Sequence, residues 1–131
     1  MIDTLPAFLA YFFSNIVLLS AALTAYGLIT PYNEIRLIRA GNTAASIGFG
    51  GTIIGMVIPM CSAVIHSIGF MDMIAWSAIG LVMQLGIWFV IHRVFGDLQV
   101  EIAERKCMAH AAILAVASMA IGMLEAACMT W

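Results

Sequence analysis

Charged residues are scarce in this sequence. Only 9% of its 131 residues are Asp, Glu, Lys or Arg, whereas 64% are hydrophobic. A soluble domain is about half apolar and about a quarter charged, so this chain lacks the polar surface that a water-soluble fold requires. The net charge of −2 offers no basic surface for nucleic acid. The composition indicates a membrane protein whose surroundings are the lipid bilayer, with no nucleic-acid partner.

Basic residues are also missing from particular places. The five that exist are Arg36, Arg39, Arg93, Arg105 and Lys106. They lie in or beside two of the gaps between long apolar runs, while the middle gap and both ends of the chain have none. Cytoplasmic loops of membrane proteins are enriched in Lys and Arg. This pattern predicts loops 30–43 and 95–106 inside the cell and both termini outside, in the periplasm of a bacterium.

Four long apolar runs make up most of the chain, at about residues 6–29, 44–68, 73–94 and 108–129. A helix rises about 1.5 Å per residue, so about 20 residues cross the hydrocarbon core. No basic residue precedes the first run and no small-residue cleavage site follows it, which favours a retained span over a signal peptide. We predict an all-α membrane protein, a single domain of four transmembrane helices.

The segments between the spans carry two local signals. Pro31 is placed to begin a short interfacial helix, Gly41 to end it, and Asn42 to cap the second span. The residues NEIR at 33–36 precede the second span, and VEIA at 100–103 precede the fourth. This weak internal similarity predicts that the protein is built from two repeated two-helix units.

Groups that carry chemistry are scarce. The three cysteines, Cys61, Cys107 and Cys128, are an odd number, and they do not indicate a disulfide framework. No metal-ligand spacing, phosphate-binding glycine loop or nucleophile with a neighbouring base is visible. The ten methionines are more typical of gap-filling between helices than of a metal route. We expect no metal, no cofactor and no enzymatic activity.

Small residues form a stripe along one face of the second span. Its members are Gly51, Gly55, Pro59, Ser62 and His66. A similar stripe on the fourth span consists of Ser118, Gly122 and Ala126. Lipid gives helices no hydrophobic reason to associate, so small residues that permit close approach supply it. The stripes predict either helix packing within one chain or an interface between the subunits of a homo-oligomer.

Four polar side chains within the predicted spans are the candidate functional residues, namely Asn15, His66, Gln84 and Glu125. An intramembrane carboxylate is costly and normally faces a partner or water. We expect Glu125 on the flank of the fourth-span stripe, where it can meet His66 at the outer end of the second span. The alternative is that Glu125, which is near the end of the chain, reaches the headgroups as an anchor.

Several segments together resemble a known family. They are TPYNE at 30–34, NTAAS at 42–46, GTIIG at 51–55, VIP at 57–59 and AACMTW at 126–131. The combination is similar to the domain of unknown function 350 family, the YjfL-like bacterial inner-membrane proteins. The resemblance implies a four-helix inner-membrane protein, no defined activity, and partners in envelope-stress or membrane-remodelling systems. Glu125 stands where the family pattern has an uncharged Asn, so the resemblance assigns it no role.

Two classes of function stay open. The first is an oligomeric structural or scaffolding component of an envelope-associated system. The second is a small channel or transporter for a proton, a cation or a small solute. A transporter should have a continuous polar path lined by Asn15, His66, Gln84 or Glu125, whereas a scaffold should have these side chains dispersed.

Overall fold

The computed structural model describes residues 4–29, 34–95 and 108–130. These residues form the helices α1 (Leu5–Ile29), α2 (Glu34–Arg39), α3 (Thr43–His66), α4 (Phe70–Phe95) and α5 (Met108–Cys128). All except α2 are long and apolar enough to cross a membrane, and no described residue is in a strand. The prediction of an all-α membrane protein with four transmembrane helices is confirmed. The division into two repeated units stays a prediction.

The connection from α2 to α3 has the predicted local geometry. Gly41 has a φ of 87°, a left-handed conformation that glycine adopts without strain. The Asn42 side chain accepts a hydrogen bond from the Ala45 backbone N–H at 3.1 Å, which satisfies one of the free donors in the first turn of α3. The predicted helix start at Pro31 lies outside the described residues, as does the loop 96–107.

The turn between α3 and α4 is tighter than predicted. The second span ends at His66 rather than 68, and the third begins at Phe70 rather than 73. Asp72 lies in the first turn of α4 and accepts a hydrogen bond from the Ile68 N–H at 3.0 Å. An acidic side chain is favourable at a helix N-terminus, so Asp72 lies within the first turn of the helix instead of in the loop.

The helix α3 lies at the centre of the bundle and packs most extensively against α5. Half of the residues in its most apolar 18-residue stretch are buried, against 6% for the corresponding stretch of α1. The helix α1 is attached near its C-terminal end by Tyr26, whose ring lies 5.0 Å from Trp88 of α4 and 6.1 Å from Phe49 of α3. The bundle therefore has a tightly packed centre and one peripheral helix.

Candidate functional site

The closest approach in the bundle is between α3 and α5. A Cβ atom on Gly51 would overlap Ala115, and one on Gly55 would overlap the backbone of Ser118. From the other side, a Cβ on Gly122 would overlap the Gly55 carbonyl. These contacts join two helices of the same chain. In this structure the two small-residue stripes therefore pack against each other within one chain.

Pro59 and Gln84 are linked through a backbone carbonyl. In a helix the N–H of residue 59 would donate to the carbonyl of Gly55, but proline has no N–H. The side-chain Nε2 of Gln84, from α4, donates instead to the Gly55 oxygen at 2.9 Å and also to the Ser118 oxygen at 3.2 Å. One buried amide thus joins α3, α4 and α5 and satisfies the carbonyl that the proline leaves free.

Ser62 and His66 form a second polar group near the C-terminal end of α3. The Ser62 hydroxyl donates to the Ala126 carbonyl of α5 at 2.9 Å. The His66 Nδ1 atom lies 3.2 Å from the Ser62 hydroxyl and 3.0 Å from the Ser62 carbonyl. The imidazole is exposed, and its hydrogen bonds are within its own helix. The predicted pair of His66 with Glu125 is not formed.

Glu125 lies on the buried side of α5. It follows Ser118 by seven residues, which places it about 20° from that residue around the helix. Ser118 is 3% exposed, whereas Glu125 is partly exposed, so Glu125 lies toward the edge of the inward face. Both carboxylate oxygens are enclosed, and neither has a hydrogen-bond partner among the described residues. Enclosed oxygens do not fit the alternative of an anchor in the headgroups.

Asn15 joins α1 to α4 toward the end of the bundle that contains the turn between α3 and α4. Its Nδ2 donates to the Tyr11 carbonyl at 2.8 Å and lies 3.3 Å from the Met73 sulfur. The hydroxyl of Ser77 donates to the Asn15 Oδ1 at 3.3 Å. Sequence reasoning missed Ser77, although it precedes Gln84 by seven residues and therefore lies on the same face of α4.

The four candidate residues are dispersed. Asn15 bonds to α1 and α4, Gln84 bonds to backbone at the centre, and His66 bonds to Ser62 at the C-terminal end of α3. Among the described residues no hydrogen bond joins any two of the four, and Glu125 has none. No chain of hydrogen bonds therefore links these four side chains to one another.

An apolar groove of about 450 Å³ lies between the N-terminal half of α1 and the C-terminal half of α3. Phe8, Phe12 and Ile16 line one wall, and Met60 and Val64 line the other. The groove exists because α1 contacts α3 only lightly along this length.

These features define a polytopic α-helical membrane protein whose intramembrane polar groups mostly connect helices. The chain belongs to the family described as Domain of Unknown Function (DUF350), which matches residues 1–129. It is 40% identical to the UPF0719 inner membrane protein YjfL of Escherichia coli K12, over all of this chain and 98% of that protein. It is 30% identical to the UPF0719 transmembrane protein YshE of Bacillus subtilis, over 62% of this chain and 60% of that protein. No solved structure matches it.

Proposed function

We propose that this chain is a non-enzymatic structural component of a bacterial inner membrane and that it acts as a homo-oligomer. The observation that carries the proposal is the use of its polar side chains. Gln84, Ser62 and Asn15 each hold one helix to another. Polar groups that are committed to helix contacts stabilise a fixed bundle, whereas a transport path needs such groups to face a substrate. The family resemblance adds envelope-stress or membrane-remodelling systems as partners.

The helix α1 is the surface that we assign to contact between copies. It is as apolar as α3 but has little packing within its own chain. Its outward face has a stripe at alternating spacings of four and three residues, formed by Ala10, Ser14, Val17, Ala21 and Thr24. This heptad spacing with small side chains is typical of transmembrane helices that pack side by side. The arrangement fits a contact between α1 of one copy and α1 of a second.

Disulfide cross-linking in native membranes tests this contact, in a background with Cys61, Cys107 and Cys128 replaced by Ser. Val17, Val82 and Val116 are 67%, 66% and 65% exposed and lie near the middles of α1, α4 and α5. We expect Val17→Cys to form disulfide-linked dimers and the other two cysteine variants to stay monomeric. Equal cross-linking of all three variants would overturn the proposal. The absence of any cross-linking, together with a monomeric mass of the protein in lipid nanodiscs, would also overturn it.

The orientation of the chain is part of the same proposal. The cationic residues Arg36 and Arg39 of α2 and Arg93 of α4 lie at one end of the bundle, which we assign to the cytoplasm. An impermeant thiol reagent on intact cells should label Ile68→Cys, in the outer turn, and should not label Ala40→Cys, after α2. Both positions are exposed. The reverse labelling would place the termini in the cytoplasm.

A small channel or transporter is the second candidate, and Glu125 is the observation that favours it. Intramembrane carboxylates are common in proton and cation pathways. Proteoliposomes that contain the purified protein and a trapped pH-sensitive dye would report proton movement. Flux that requires the protein and is abolished by Glu125→Gln would favour the transporter over the structural role.

A further inference from the structure

Glu125 lies between two contacts that hold α5 against α4. Three residues before it, the Cβ position of Gly122 is 3.1 Å from the Gln84 Nε2 atom. Four residues after it, the Met129 Cε atom is 3.3 Å from the Cβ position of Gly80. Residues three and four apart share a face of a helix. Glu125 therefore lies on the side of α5 that faces α4, and although its side chain is only partly buried, both of its carboxylate oxygens are enclosed.

The polar groups around this position already have partners. On α3, the Ser62 hydroxyl bonds to the Ala126 carbonyl and His66 bonds to Ser62. On α4, Ser77 bonds to Asn15 of α1. The other titratable groups at this end are accounted for as well. Asp72 accepts from the Ile68 N–H, the Tyr11 ring lies against Phe70, and Cys128 is exposed.

No described cation is near enough to pair with Glu125. The described arginines belong to α2 and to the C-terminal end of α4, at the opposite end of the bundle. A separation of about 20 helical residues corresponds to about 30 Å. No group of three His, Cys, Asp or Glu side chains that could hold a metal ion occurs within the described ranges.

An ionised carboxylate that is enclosed without a cation or a hydrogen-bond donor is strongly disfavoured, whereas the neutral acid is tolerated. A metal cation would need several oxygen ligands, and the neighbouring hydroxyls are committed to other bonds. We infer that Glu125 is an intramembrane proton-binding site, whose carboxyl group holds a proton while the closed bundle encloses it. This site goes beyond the proposed structural role and does not depend on it.

Infrared spectroscopy of the protein in lipid bilayers at pH 7 tests the inference. A protonated carboxylic acid has a carbonyl stretching band distinct from those of carboxylate and amide, and it shifts in D₂O. We expect this band in the unmodified protein, its loss in Glu125→Gln, and its retention in Asp72→Asn, which removes the acid at the outer turn. Absence of the band from the unmodified protein, or its persistence in Glu125→Gln, would overturn the inference.

A second measurement uses the unmodified protein and so does not depend on a folded variant. An apolar carbodiimide reacts with a protonated carboxyl group in a membrane. The acid proton moves to a carbodiimide nitrogen, the carboxyl oxygen bonds to the central carbon, and acyl transfer to nitrogen leaves a stable N-acylurea. Mass spectrometry should find this adduct at Glu125 and not at Asp72. An unlabelled Glu125, or equal labelling by a water-soluble carbodiimide, would show that the carboxyl group is ionised or open to water.

Discussion

The helices α1 and α3 have nearly the same length, 25 and 24 residues, and the same mean hydropathy of 1.8. Yet half of the apolar stretch of α3 is buried and only 6% of that of α1. Hydropathy therefore identifies a span but does not say whether it is central or peripheral. In lipid, apolar side chains are equally well solvated on either side of a helix. Another property must therefore decide which helix is central in the bundle.

That property is how closely the backbone can be approached. The buried positions of α3 include Gly48, Gly51 and Gly55, and α5 lies directly on two of them. Where α1 faces α3 across the groove, its side chains include Phe8 and Phe12, whose rings prevent an equally close approach of these two helices. Close contact adds van der Waals attraction that bulky surfaces cannot give, so α3 is central.

We expect the largest loss in the free energy of unfolding from adding one methyl group to the α3–α5 contact. Gly51→Ala places a Cβ against Ala115, so we expect a loss of about 1–3 kcal/mol or more in the free energy of unfolding. Gly50→Ala is the matched control, because its Cβ position has no neighbour within 4 Å. Alanine is the better helix former by about 0.5–1 kcal/mol, so the control should be neutral or slightly stabilised. Reversible unfolding in bicelles measures both, and equal effects would contradict the contact.

We expect a smaller loss in the free energy of unfolding from removing the hydrogen bond from Gln84 to the carbonyl of Gly55. Gln84→Leu should lower the free energy of unfolding by about 1–2 kcal/mol, because a buried carbonyl loses its donor. Pro59→Ala restores an N–H that can donate to the same carbonyl. The cost of Gln84→Leu should therefore be smaller in the Pro59→Ala background. A double-mutant cycle gives the coupling, and strictly additive effects would show that the two residues do not share this carbonyl.

We expect the smallest loss in the free energy of unfolding from weakening the attachment of α1 to α4. Ser77→Ala removes the hydrogen bond to Asn15, and such bonds between transmembrane helices average about 0.6 kcal/mol. Ser20→Ala is the control, because that hydroxyl is exposed and bonds to the Ile16 carbonyl of its own helix. Only Ser77→Ala should speed the reaction of Cys61, which lines the groove beside α1, with an apolar thiol reagent. The same rate in both variants would show that this bond does not hold α1.

The sequence alone predicted the features that depend on local chemistry. The four spans follow from apolar runs, because any such run is stable in lipid as a helix with its backbone bonds satisfied. The turn at Gly41 and the cap at Asn42 depend on residues within one helical turn. The motifs around residues 30–59 and at the end of the chain also indicated the family.

Only the tertiary structure decided which surfaces meet. The two small-residue stripes were compatible with one chain or two, and their contact within one chain depends on how α3 and α5 cross. Gln84 was visible as a polar residue in a span, but its partner is a carbonyl freed by Pro59, 25 residues earlier. Glu125 proved to face inward, and Asn15 to bond to Ser77. Lipid solvates all apolar faces alike, so the choice among them depends on close approach and unpaired polar groups, which involve residues far apart in the chain.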